Sequence, residues 1–121
     1  MPLVVIELIG GETPVSPRLA PRLADALGKI FGSEPEQTWV RVRSLPLEAY
    51  AENDTAAPLG SNAVFVEVTK RDRPPSVLLA TEAALIAAAV GQVCARPAER
   101  VHVIYEPPAA GRVAFGGKLV E

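Results

Sequence analysis

Leu3-Val4-Val5-Ile6-Glu7-Leu8-Ile9 is apolar almost throughout and is closed by Gly10-Gly11. A short apolar run bounded by glycines is the pattern of a β-strand covered on both faces. The run decides the fold because it starts again. Ala63-Val64-Phe65-Val66-Glu67-Val68 repeats it, with Glu67 standing 60 positions after Glu7. Pro74 and Ser76 follow Pro14 and Ser16 at the same distance of 60.

Past the first strand, Ser16 is placed to cap a helix, with Pro17 in the first turn. Leu19, Leu23, Leu27, Ile30 and Phe31 then recur at helical spacing up to Gly32, where a helix would end. Pro21 is awkward inside a helix, so the regular part is expected to begin near it. Trp39-Val40-Arg41-Val42-Arg43 alternates as a second strand and is stopped by Pro46. From Leu47 to Gly60 the chain is polar and reads as a loop. In the second half Ser76 is a candidate cap, and Val77 to Cys94 reads as an alanine-rich helix, apolar around most of its girth. Val101-His102-Val103-Ile104-Tyr105 is a strand stopped by Pro107-Pro108. Val101, Val103 and Pro107 stand 61 positions after Val40, Val42 and Pro46.

The chain therefore reads as one α/β domain over 1–121, made of two tandem β-α-β units at about 1–58 and 59–121. Right-handed crossovers place both helices on one face of a four-stranded mixed sheet. The opposite face, carrying some of Val4, Ile6, Val64, Val66, Val101 and Val103, is then expected to be apolar and bare. Such a face calls for self-association.

With 121 residues, 49% hydrophobic and 21% charged, the chain is long enough for a single core and lies within the globular range. Its net charge of −2 provides no basic field for nucleic acid or an acidic membrane surface. No apolar run is read as reaching the roughly 20 residues that span a bilayer, and Met1-Pro2-Leu3-Val4 lacks the basic region of a signal peptide. The single cysteine, Cys94, excludes an internal disulfide and fits a reducing cytoplasm. Cys94 closes an apolar helical stretch, so it is read as packing rather than as a nucleophile. One histidine, His102, does not make a metal site.

A β-α-β repeat that opens at Met1-Pro2, with a strand starting at the proline, resembles the tautomerase superfamily. Arg41 in the second strand, Arg71 and Arg73 after the third, and Val113-Ala114-Phe115-Gly116-Gly117 near the end carry the rest of the resemblance. That last stretch is similar to the glycine-rich, aromatic tail of 4-oxalocrotonate tautomerases. Duplicated members of this length resemble 5-carboxymethyl-2-hydroxymuconate isomerases, macrophage migration inhibitory factor and malonate semialdehyde decarboxylases.

The resemblance implies a homotrimer and a cofactor-independent enzyme that interconverts enol and keto forms of a small 2-hydroxy or 2-oxo acid, or shifts its double bond. Pro2, freed by removal of Met1, would be the general base. Arg71, Arg73 and Arg41 would bind the carboxylate, and Phe115 would form a pocket wall, its tail able to fold over a neighbouring subunit. His102 stands near a tyrosine of some relatives and Glu36 near an aspartate of the decarboxylases, so both are candidate accessory groups. Departures exist as well: Glu12, Ser33 and Ala114 stand where various relatives carry an arginine, a lysine and a water-activating glutamate.

The chemistry also follows from the residues. An ordinary α-amino group has a pKa of about 7.7–8.0. Apolar neighbours and nearby guanidinium groups disfavour its protonated form, leaving a secondary amine able to accept a proton at pH 7. Arginines bind carboxylates bidentately and stabilise a developing dienolate. Two other readings stay open: a decarboxylase or hydratase of 3-oxo acids, and a non-catalytic ferredoxin-like trimer that binds a ligand.

Overall fold

The computed structural model describes residues 2–54 and 62–121. The expected loop from Leu47 to Gly60 therefore falls partly outside the described residues, as does the 58/59 boundary between the repeats.

The first repeat supplies β1 (Leu3–Ile9), α1 (Leu19–Phe31) and β2 (Trp39–Leu45), and the second supplies β3 (Val64–Thr69), α2 (Ser76–Cys94) and β4 (Val101–Tyr105). A short hairpin of β5 (Ala114–Phe115) and β6 (Lys118–Leu119) follows, and single 3-10 turns occupy Leu47–Ala49 and Ala98–Arg100. The sheet order is β2-β1-β3-β4. Each repeat forms a parallel pair, and the two pairs join antiparallel through β1 and β3.

The strand alternation sorts the side chains cleanly. Val4, Ile6, Val64, Val66 and Val68 are fully buried, packed with Leu23 and Leu27 of α1 and Ile86 and Val90 of α2. Val40, Val42, Val103 and Tyr105 flank that core from the outer strands. The bare apolar face expected from the sequence is thus corrected, because the valines and isoleucines named for it all lie beneath the helices. The reason is register: Val4 pairs with Val40 and Val68, and Val66 with Ile6 and Val103, so one parity of every strand faces the same way. The opposite face mixes Leu3, Val5, Phe65 and Ile104 with Glu7, Arg41, Arg43, Glu67 and His102. On it Arg43 Nε donates to Glu7 Oε2 at 3.0 Å.

Helix starts differ from the expectation, whereas helix ends agree with it. α1 begins at Leu19, so Pro21 sits in the first turn, where its missing N–H breaks no intrahelical bond. Ser16 caps the turn before the helix rather than the helix itself, its Oγ accepting from Arg18 N–H at 3.3 Å. Ser76 is the first residue of α2 and makes no capping bond; the Leu78 N–H instead donates to Pro75 O at 2.9 Å. At the other ends both helices close the same way. Ser33 N–H reaches back to Gly28 O at 2.9 Å past a left-handed Gly32, and Arg96 N–H reaches Gly91 O at 2.8 Å past a left-handed Ala95.

α2 corrects a second expectation. Its 19 residues, with mean hydropathy 1.9, are long and apolar enough to cross a membrane by length and composition alone. In the fold one stripe of it, Ile86 and Val90, enters the core, and the apolar residues Val77, Leu78 and Leu85 stay exposed.

Candidate functional site

Pro2 precedes β1 on the helix-facing parity and is buried. Its carbonyl accepts from Trp39 N–H at 3.1 Å, which fastens it to the start of β2. It lines a cavity of about 480 Å³. Phe31, Gly32 and Ser33 at the end of α1 form one wall, with Glu34 and Gln37 from the following turn. Lys70, Arg71 and Asp72, immediately after β3, form the other.

The cations of this cavity are held in different ways. Arg71 Nε donates to the Glu121 main-chain oxygen at 2.7 Å, Nη2 donates to the same atom, and Nη1 donates to Asp72 Oδ2 at 3.3 Å. Lys70 Nζ lies 2.8 Å from Glu82 Oε2 and 5.2 Å from the centre of the Phe31 ring. Glu82 Oε1 in turn accepts the Tyr105 hydroxyl at 2.9 Å. Burial, then the hydrogen bond and charge of Glu82, push the Tyr105 phenol well above its usual range, so it stays a donor. Tyr105 thereby fixes Glu82, which fixes Lys70 at the cavity wall. The tail holds the same segment from outside, with Ala109 N–H on Lys70 O at 2.8 Å and Ala110 N–H on Arg71 O at 3.2 Å.

Of the residues singled out in the sequence, the structure brings Arg71 to Pro2 and separates most of the others. Arg73 lines a different, small cleft beside Tyr105 and Pro108. Arg41 is exposed on the open sheet face, paired in register with Val5. His102 packs on Phe65 at 5.3 Å between ring centres, level with Glu7 rather than with the start of β1. Glu36 takes a left-handed φ of 67°, offers its carbonyl to Trp39 Nε1–H at 2.8 Å, and lines a cleft on the far side of the α1 end. The acid of this turn that lines the Pro2 cavity is Glu34. Phe115 lies outside the cavity lining, set edge-on against Trp39 at 5.0 Å. The tail thus packs against Trp39 of the same chain. Trp39 and Phe115 together close the β2 edge beside Pro2.

Beside Glu34 and Asp72, Lys70 is a cavity residue that sequence reasoning missed. Its signal was adjacency, since it directly precedes Arg71 at the end of β3. The resemblance drew attention to Arg71 and Arg73 instead.

No family profile matches the chain, and no curated protein matches it in sequence. Solved structures do match its shape. Fused 4-OT, described as a wild-type symmetric trimer, superposes with a TM-score of 0.74 at 18% identity, over 98% of this chain and 94% of that one. MIF2 of Leishmania major gives 0.75 at 20% identity, over 98% and 97%. The chain has the tautomerase-superfamily fold. Pt0534, solved after inactivation by 2-oxo-3-pentynoate, shares that fold with a TM-score of 0.74 at 17% identity, over 98% of this chain and 94% of that one. Two helices over a β2-β1-β3-β4 sheet are the elements in which this superfamily fold is expressed here.

Proposed function

We propose that the chain is a cofactor-independent tautomerase or double-bond isomerase of a small 2-hydroxy or 2-oxo acid, with Pro2 as general base. The observation that carries this reading is Pro2, buried at the wall of a cavity of about 480 Å³ whose facing wall presents Lys70 and Arg71. Once Met1 is removed, Pro2 becomes a secondary amine beside two cations and an aromatic ring. The two cations disfavour its protonated form, opposed by Glu34 and Asp72 of the same lining, and supply counter-charge for a carboxylate and a dienolate. The amine takes a proton from the enol hydroxyl or an activated carbon and returns it at the other end of the conjugated system.

Cytoplasmic location and a homotrimeric state belong to the same proposal. The trimer is supported by fused 4-OT, a symmetric trimer, and by the half-open sheet face of this chain. Ala114 bears no proton-transfer group, so hydrolytic dehalogenation of 3-haloacrylates is not expected.

The test is ketonisation of phenylenolpyruvate and 2-hydroxymuconate by correctly processed protein and by its Pro2→Ala variant. The variant is expected to keep its fold by circular dichroism and to lose most activity. Full activity in folded, processed Pro2→Ala would remove Pro2 from the mechanism. A decarboxylase reading gains support from Glu34 and Asp72 in the cavity wall; faster consumption of malonate semialdehyde than of either enol would establish it.

A further inference from the structure

The cleft at Pro2 has a counterpart in the other half of the molecule. Lys70, Arg71 and Asp72 of its wall stand 60 positions after Gly10, Gly11 and Glu12, and Phe31, Gly32 and Ser33 stand 63 positions before Cys94, Ala95 and Arg96. These six counterparts line a second cavity, of about 380 Å³. Duplication has therefore preserved a cavity as well as a fold. The counterpart of Pro2, 60 positions on, is Asn62, whose backbone nitrogen is an internal amide with no basicity.

We infer that this second cavity is a non-catalytic binding site for a small apolar monocarboxylate. Leu8, Val15, Leu19 and Val93 supply its apolar wall. Arg96 supplies its cation. The Arg96 Nη1 donates to Ile9 O at 3.1 Å and Ala63 O at 3.3 Å, so the guanidinium is anchored across the ends of β1 and β3. Among the described residues its Nε and Nη2 have no hydrogen-bond partner, which leaves two adjacent donors, the geometry a carboxylate takes bidentately. Glu12 in the same lining sets the charge limit. One carboxylate is matched by Arg96, while a second would meet like charge. The backbone of Arg96 also packs on Gly91, its N–H donating to Gly91 O at 2.8 Å, and an added Cβ at Gly91 would lie 2.7 Å from Arg96 O.

Cys94 makes the site measurable without any reference to turnover. It is the only cysteine, lies in the lining, and has a thiol pushed up by burial. Alkylation of Cys94 by iodoacetamide at mildly alkaline pH, followed by intact mass, reads how open the cavity is. Phenylacetate is expected to slow alkylation saturably, by about tenfold when present at roughly ten times its Kd. The same protection is expected in Pro2→Ala, and phenylmalonate, with two carboxylates, should protect far less. Val15→Trp, which fills the cavity, should abolish protection by phenylacetate; Glu12→Gln, a surface change, should let phenylmalonate protect. Absence of protection at millimolar phenylacetate, protection lost in Pro2→Ala, or equal protection by the two acids would overturn the inference. None of these outcomes bears on Pro2 as a base.

Discussion

Arg71 and Arg73 are two residues apart in sequence, yet the structure gives them different surroundings. Arg71 lines the Pro2 cavity, and Arg73 lines the cleft beside Tyr105. Losing a charge-assisted bond to a carboxylate costs about 1.5–3 kcal/mol, or roughly 10- to 150-fold. Arg71→Ala should therefore raise KM for an enol acid by about that factor, with little change for an uncharged enol, while Arg73→Ala stays within a few-fold for both. Steady-state kinetics on the two substrate types checks this, and equal effects from both variants would contradict the placement. Pro2 and Arg71, named from the resemblance, stand at the start of β1 and just past the end of β3, and the structure sets both in the lining of one cavity. Lys70 was not legible in the sequence, because its place depends on Glu82 and Tyr105, which are far from it in sequence and meet it only in the folded chain. Arg41 and His102 were singled out correctly as strand residues, but the parity of their strands turns both to the open face.

At the scale of the element, β1, β4 and the C-terminal ends of both helices were readable almost to the residue, since glycine, proline and apolar period mark most of these limits. Helix starts were less so. Ser16 and Ser76 are good capping residues, but Arg18 and Pro75 occupy the positions just before the helices, and no side chain caps either start. Glu36 shows how an element can mislead about function. Its backbone occupies the left-handed region at φ 67° in the turn that leads into β2, and its carbonyl holds the Trp39 indole. That backbone role suits glycine, which adopts positive φ without steric cost. Glu36→Gly should leave stability within about 1 kcal/mol of the parent, measured by chemical denaturation, and turnover within a few-fold. A large loss of activity in a stable Glu36→Gly protein would return its carboxylate to the site. The β5–β6 turn uses the same backbone freedom openly, with Gly116 and Gly117 at φ 57° and 85°, which lets Phe115 fold back onto Trp39.

Across the whole molecule, the 60-residue repeat was the most informative feature of the sequence. It implied two β-α-β units and a four-stranded mixed sheet with both helices on one face, to which the structure adds the strand order and the paired clefts. What it did not yield was which face stays open. Period-two alternation does not say which parity meets the helices, so the apolar set was assigned to the wrong side. The open face that results is half polar, with Glu7 and Arg43 paired and Glu67, Arg41 and His102 beside them. The trimer proposed above, if built on this face, would set the intrachain Glu7–Arg43 pair beside Val5, Phe65 and Ile104 at its seam. Sedimentation should accordingly give a trimer at micromolar concentration, loosened by Arg43→Glu, which sets two carboxylates against each other at Glu7. A compact monomer would mean that the open face is solvated and that each cavity works without a neighbour.

The central claim is that the nitrogen of Pro2, and not merely its ring, accepts the proton. An amide nitrogen has the same ring and no basicity. The most direct measurement compares kcat/KM for phenylenolpyruvate between protein that begins at Pro2 and protein in which one residue is left attached before it, both verified by intact mass. The account predicts a rate that rises with pH through the ionisation of the Pro2 amine in the first protein, and nearly complete loss of turnover in the second. Equal rates in the two proteins would contradict it.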